Sequence, residues 1–514
     1  MTRKIIVTNS EALTAKYGAG ASAVNTAIQE LVAADSARGV ETRVIALNDN
    51  SAMQAANAPV VKDSGNAKQT KEAIDAVYHA LAPDYLLLVG AYDVVASQLL
   101  KNPVYEPSDP DTDPDPVIPS DLPYACEAPF SEKPEDFTGV TRVVGRLPDL
   151  MGAKEPSYLV DVLGRTARAA VRPKTEYSSY LGVSTDSWKA STRLSLTQLF
   201  GEGALLRACP VEGPEWTAEQ LASRVHYFNC HGGAVDCCFY GEKEGADDFP
   251  VALDAHTVKG RLQDGTVASV ECCYGAQLYD PADKDAGGQM PIGQTYLGNG
   301  AYGYMGSSTV AYGPAEGNSS ADLICRFFLQ HVLNGASLGR ALLEARQHFV
   351  QASDSPLDPI DVKSLAQFLL LGDPSLHPVA QEGPEGESFE LDFSGGRALL
   401  DRLARRRRLF VRGLEIARTL AVATSARVAE RSAALDVRLR ELADGAGMRG
   451  ASILSFAVRD PLAGAIPPAM ASRAPQATGI HVMFTGRGRR LMVVRAVEDR
   501  VVGVRELRRK SSKV

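Results

Sequence analysis

The sequence predicts an α/β fold with a doubly wound, mostly parallel sheet carrying helices on both faces, followed by a separate α+β C-terminal domain. Three observations carry that expectation. Short β-branched runs alternate with helix-periodic segments through roughly the first 380 residues. Some of those runs are apolar at every position and stop at glycine, as Tyr85-Leu86-Leu87-Leu88-Val89-Gly90 does, which suits a parallel strand covered on both faces. Beyond residue 396 the composition shifts to Ala, Leu and Arg and then to short strand-like runs.

Taken in order, Lys4–Thr8 is a first strand and Ser22–Ala33 a helix with Val24, Ile28, Leu31 and Val32 on one face. Thr42–Leu47 is a strand, Lys68–Leu81 a helix with Ile74, Val77 and Leu81 on one side, and Tyr85–Val89 the next strand. Residues 103–123 are dominated by Pro and Asp and are expected to form a surface loop. Val140–Arg146 returns as a strand and Glu155–Val171 as a helix. A second set follows: strands at Tyr180–Val183, Val225–Cys230, Val267–Glu271 and Ala301–Met305, a mixed or helical segment at Trp188–Phe200, and helices at Ala321–Leu333 and Leu338–Val350. Phe368–Leu371, ending in Gly372-Asp373-Pro374, closes the region. Residues 381–396 read as a linker and 397–443 as a long helix or helix pair. Ile453–Val458, Gly479–Phe484, Leu491–Val497 and Val501–Leu507 read as antiparallel strands. The domain boundaries that follow are 1–150, 151–380, the linker 381–396, and a basic C-terminal domain at 397–514.

With 514 residues the chain is too long for one ordinary core. Its 45% hydrophobic and 23% charged residues are ordinary globular values, and a net charge of −8 argues against a nucleic-acid-binding protein. The basic run Arg405–Arg408 reads as a solvated helix face. The N-terminal apolar run is too short for a signal peptide and no segment approaches a membrane span, so a cytoplasmic location is expected. The 8 cysteines include the adjacent pairs Cys237-Cys238 and Cys272-Cys273 and no C-x-x-C spacing. Reduced thiols, no structural metal site and no cofactor are the expectation.

Two segments concentrate the chemistry. Asn229-Cys230-His231-Gly232-Gly233 and Glu271-Cys272-Cys273-Tyr274-Gly275 each follow an apolar strand and run into glycine. His231 and Cys272 lie 41 residues apart, about one β-α-β crossover. Adjacent parallel strands would bring imidazole and thiol together at the carboxyl edge of the sheet, where open α/β sheets bind ligands. That pair is the minimum for a cysteine nucleophile with a base. Each residue alone has an ordinary structural reading, since a histidine after a strand and a buried cysteine are both common.

His-Gly followed by a later cysteine turn resembles the caspase-like cysteine peptidases. Leu86–Gly90, Ser120-Asp121-Leu122-Pro123-Tyr124, Val143–Pro148, Gly300–Ser307 and Leu371-Gly372-Asp373-Pro374-Ser375-Leu376 come in the order seen in gingipain-type peptidases and their relatives with CHAT domains. The resemblance covers roughly residues 80–380 and implies a caspase/gingipain-like sheet. It makes His231 the catalytic histidine and, on a Cys-x-x-Gly reading, Cys272 the nucleophile, with the Gly232 and Cys272 amides as oxyanion donors. A Cys-x-Gly reading selects Cys273 instead; the other gingipain-like motifs favour Cys272. The family's acidic pocket residue, which selects arginine or lysine, falls on Asp121, with Asp236 as a second candidate. Ser307-Ser308-Thr309 is expected to supply a pocket wall or an edge for strand pairing.

The expected protein is therefore a cytosolic cysteine endopeptidase that forms an acyl-enzyme and cuts a limited set of protein or peptide substrates after Arg or Lys. The basic C-terminal domain is expected to serve a regulatory protein partner, and residues 103–139 and 239–262 are candidate self-cleavage loops. The competing readings are a caspase-like scaffold with an idle dyad, and another thiol acyl-transfer enzyme.

Overall fold

The structure, a computed structural model, describes residues 2–109, 113–246, 248–353, 357–380, 426–427, 431–457, 478–485, 489–497 and 499–510. One ten-stranded sheet organises the first 380 residues. From edge to edge its strands are Val40–Ala46, Thr2–Thr8, Tyr85–Val89, Val144–Leu147, Phe368–Gly372, Ala301–Ser307, Thr266–Val270, Val225–Asn229, Tyr180–Ser184 and Leu206–Ala208. Every neighbouring pair is parallel except Ala301–Ser307 with Phe368–Gly372, where two five-stranded parallel halves meet. Phe368–Gly372 thus lies among the strands of the first half, although it comes last in the chain. Val225–Asn229 and Thr266–Val270 are buried at every position, so both sheet faces are covered there.

The helices follow local signals. Asn66 caps Ala67–Leu81 by accepting from the Gln69 amide, and Ser337 caps Leu338–Ala352 by accepting from Arg340. Ala21–Ala37 buries Val24, Ile28 and Leu31, the face that its periodicity marks.

Residues 103–123 depart from the surface loop expected of them. Val117–Ser120 pairs with Gln98–Lys101, and Leu122–Ala125 is a buried 3-10 turn. Two aspartates of this stretch make interior contacts. Asp113 ion-pairs with Lys363 and accepts from the Tyr312 hydroxyl, and Asp115 accepts from the Val310 amide and the Tyr274 hydroxyl. Carboxylates satisfied in this way can be buried.

The C-terminal region forms a six-stranded antiparallel sheet in the order Tyr312–Gly313, Arg500–Arg509, Arg490–Val497, Thr478–Phe484, Ser452–Ala457 and Ala426–Arg427. Helix Ala433–Gly445 packs on it through Leu435 and Leu439, with Met448, Met483, Met492 and Val494 beneath. The other sheet face buries Phe456, Ile480, Val482 and Leu507 against the main core. The first strand of this sheet, Tyr312–Gly313, comes from the first 380 residues, so the C-terminal sheet grows out of an edge of the larger region. The linker 381–396, the Arg405–Arg408 run and most of the helix expected over 397–443 lie outside the described residues. Among the described residues no helix is long and apolar enough to cross a membrane.

Candidate active site

Two adjacent strands deliver the site. Val225–Asn229 and Thr266–Val270 pair in parallel with Phe228 opposite Val270, and the Glu271 amide donates to the Phe228 carbonyl at 2.8 Å. The chain continuing from each strand therefore leaves at the same sheet edge: His231-Gly232 from one, Glu271-Cys272-Cys273 from the other. The two turns touch. A Cβ on Gly232 would lie 2.0 Å from the Cys273 carbonyl oxygen, so only glycine permits this approach.

Alternation along the second turn sends its side chains in different directions. Cys272 faces the interior, where its sulfur accepts from the Cys230 amide at 3.4 Å and its thiol is pushed far up by burial. The Cys273 sulfur accepts from the Ala311 amide at 3.1 Å, and burial likewise raises its thiol. Tyr274 has φ 55, an uncommon conformation for a residue with a side chain. It is held there by its amide on Thr309 O and its hydroxyl on Asp115.

His231 is enclosed by rings, with Trp188 and Phe249 each at a centroid distance of 4.7 Å. Its Nε2 lies 3.0 Å from Glu242 Oε2, and its Nδ1 is buried with no hydrogen-bond partner among the described residues. Burial lowers the histidine's pKa, and the Glu242 carboxylate opposes that shift. Glu242 is itself below the usual carboxylate value. Burial works to raise it, but the hydrogen bonds from His231 and from Ser187 Oγ, the latter at 2.8 Å, prevail.

The cleft holds a segment of the same chain. Lys510 follows the strand Arg500–Arg509, and its carbonyl oxygen accepts from the Gly232 amide at 3.0 Å and the Cys273 amide at 3.3 Å. Its own amide donates to Ala311 O at 2.9 Å, extending the antiparallel pairing of Arg509 with Tyr312 and Arg508 with Gly313. The Lys510 side chain is fully buried. Its Nζ donates to Glu271 Oε2 at 2.5 Å and Asn229 Oδ1 at 2.6 Å, lies 3.8 Å from Asp322 Oδ1, and sits 5.1 Å from the centre of the Trp188 ring. The Tyr227 hydroxyl donates to the other Glu271 oxygen. Burial and the neighbouring Glu271 hold the Asp322 carboxyl well above its ordinary pKa.

Residues 222–379 match the model of peptidase family C25. Those residues are a gingipain-type, caspase-like C25 domain. No curated protein matches the chain. The C25 region begins just before the histidine strand and ends after Phe368–Gly372, so it contains both turns and the Tyr312–Gly313 edge.

The other expected site residues have partners of their own. Asp121 lies between strand Val117–Ser120 and the turn Leu122–Ala125, in a two-pronged ion pair with Arg146: Nε to Oδ2 at 2.8 Å and Nη2 to Oδ1 at 2.6 Å. That guanidinium also donates to the carbonyls of Gly90 and Val95, so the arginine anchors the turn and satisfies the carboxylate. Asp236 accepts from the Tyr240 hydroxyl and the Cys238 amide. Together with Cys237 and Cys238 it forms the one group among the described residues whose ligand atoms all fall within 4.8 Å, a spacing that a metal ion would tolerate. Ser307 and Thr309 support the cysteine turn through their carbonyls, which accept from the Ala276 and Tyr274 amides.

Glu242, Asp322, Trp188 and Lys510 carry no warning in the sequence motifs. Glu271 carries one: in a Cys-x-Gly reading it stands two residues before Cys273, on the same side of an extended chain. Asp322, in the first turn of helix Ala321–Leu333, reads as an ordinary N-terminal helix acid.

Proposed function

We propose that the protein is a cysteine endopeptidase that cuts polypeptides after lysine, with Cys273 as nucleophile, His231 as general base and acid, and Glu242 orienting the imidazole. The carrying observation is the seat of Lys510. Its carbonyl meets two backbone amides while its ammonium meets Glu271 and Asn229 at the bottom of a closed pocket. A substrate lysine seated in the same way would have its scissile carbonyl held by the Gly232 and Cys273 amides.

The chemistry follows from the parts. His231, neutral because it is buried, takes the Cys273 thiol proton as sulfur attacks the carbonyl carbon. The charge developing on the carbonyl oxygen is stabilised by the two amides, already fixed by the Gly232 contact and the Tyr274 turn. The imidazolium then protonates the departing amine, and water, deprotonated by His231, releases the acyl group. Glu242 on Nε2 leaves Nδ1 for these transfers, and its negative charge stabilises the imidazolium.

This reading moves two roles from their expected residues. Cys273 replaces Cys272, because Cys273 contributes the amide that meets the carbonyl while the Cys272 sulfur lies against Cys230 in the interior. Glu271 and Asp322 replace Asp121, whose carboxylate is taken up by Arg146. Specificity for a basic residue, first assigned to Asp121, is kept on a different acid. Residues 311–313 supply the edge on which a substrate strand pairs.

The test is cleavage of a fluorogenic lysyl peptide by a Lys510→Glu form, in which a carboxylate beside Glu271 expels the C-terminal segment. Turnover that disappears with Cys273→Ala and survives Cys272→Ala supports the reading. Turnover that survives Cys273→Ala overturns it.

A further inference from the structure

We propose that this chain is its own substrate at the Lys510–Ser511 bond, an inference that rests on the peptidase reading above. Three contacts seat Lys510 as a residue to be cleaved. Its side chain fills the acidic pocket, its carbonyl oxygen lies on the Gly232 and Cys273 amides, and its amide continues an antiparallel pairing with residues 311–313. Strand addition of this kind is how peptidases hold extended substrates. The carbonyl carbon of Lys510 is attached to the Ser511 nitrogen, so the bond presented to the site is Lys510–Ser511.

The delivery of this strand is built in several layers. Arg505 ion-pairs with Asp361, at 2.9 Å, and with Asp358. Arg489 stacks on Phe249, with its guanidinium carbon 4.5 Å from the ring centre, and Phe249 is one of the two rings enclosing His231. Leu507 is fully buried in the main core. None of these contacts involves residues beyond 510, so all of them survive cleavage. The described residues of the candidate loops at 103–139 and 239–262 lack this arrangement. The first is tied inward through Asp113 and Asp115, and the second supplies Glu242 to the histidine.

The step balances without any added oxidant, reductant or co-reactant other than water. The Cys273 sulfur bonds to the Lys510 carbonyl carbon and its proton passes to His231. The Lys510–Ser511 C–N bond breaks, and the proton moves from His231 to the Ser511 amine, which leaves with the residues that follow. Water then cleaves the thioester, giving a Lys510 carboxylate and the Cys273 thiol. The new end stays in the pocket, held by Glu271, Asn229 and the strand behind it. Self-cleavage therefore leaves the C-terminal sheet seated as a product that blocks other substrates.

The experiment is intact-mass and C-terminal peptide analysis of the purified full chain, its Cys273→Ala variant and its Lys510→Glu variant. The expected result is a wild-type chain ending at Lys510, with residues 511–514 retained in both variants. Loss of residues 511–514 from Cys273→Ala as well would assign the cut to another enzyme and overturn the proposal. A second readout separates the two claims: labelling of the Lys510→Glu form by a lysyl acyloxymethyl ketone. Labelling at Cys273 with an uncut wild-type chain overturns self-cleavage alone. An uncut chain with no labelling overturns the peptidase reading as well.

Discussion

The ammonium of Lys510 and the carboxylate of Glu271 meet at 2.5 Å in a pocket from which both side chains are fully shielded. Two opposite charges held there gain strongly from each other, and removal of one leaves the other buried without compensation, at a cost of about 3–5 kcal/mol. Glu271→Gln is expected to reduce kcat/KM for a lysyl peptide by roughly 10²-fold or more, in line with that cost. Measured in the Lys510→Glu background, a loss under about fivefold, worth roughly 1 kcal/mol, would place the specificity elsewhere.

Lysine is expected to be favoured over arginine. The pocket presents two close acceptors to a compact ammonium, Glu271 Oε2 and Asn229 Oδ1, and closes around it. A guanidinium is planar and broader and spreads its donors over a fork. Paired lysyl and arginyl peptides with one leaving group should differ in kcat/KM by about tenfold or more, roughly 1.4 kcal/mol. Equal rates would contradict the closed pocket.

The Gly232 position tolerates no side chain. A Cβ there would sit 2.0 Å from the Cys273 carbonyl, a backbone atom that cannot swing away. Gly232→Ala is expected to displace one turn from the other and remove an oxyanion donor, a change worth about 10²–10³ in kcat. The check is kcat with circular dichroism on the same preparation, since an inactive but folded variant isolates the effect to the site.

The pH dependence follows from His231, whose pKa burial holds below its ordinary 6.5. In the proposed mechanism the neutral imidazole is the active form, so turnover should persist below pH 6.5, with the acid limb lying under that value. Replacing Glu242 by Gln removes the charge that opposes this shift, so the limb should move further toward acid while kcat falls. The same shift links to stability. The unfolded chain binds a proton near 6.5 and the folded chain does not, so His231's contribution is complete above 6.5 and is lost as the pH falls below it. The check is a comparison with His231→Gln: removing the imidazole should lessen the fall in Tm, or steepen its rise, on acidification through this range, and an unchanged pH dependence would contradict the assignment.

Much of this architecture was legible because it rests on local periodicity. The runs Tyr85–Val89 and Val225–Asn229 are apolar throughout and form covered parallel strands, and four C-terminal runs form an antiparallel sheet as expected. The His-Gly and Cys turns were visible because glycine marks where backbones approach. What the sequence concealed is contact at long separation. Asp121 reads as a pocket acid in the sequence, but its carboxylate meets Arg146, 25 residues along the chain. Lys510 stands 239 residues from Glu271, in a basic tail that composition alone describes as a charged surface. The choice between Cys272 and Cys273 depends on strand alternation at the last residue before a turn, which spacing to the next glycine does not fix.

The most direct test of the central claim is the site of covalent capture. The Lys510→Glu chain, treated with a lysyl acyloxymethyl ketone and digested, should carry the adduct on Cys273, with Cys272 unmodified. An adduct on Cys272, or labelling that persists in Cys273→Ala, would contradict the account.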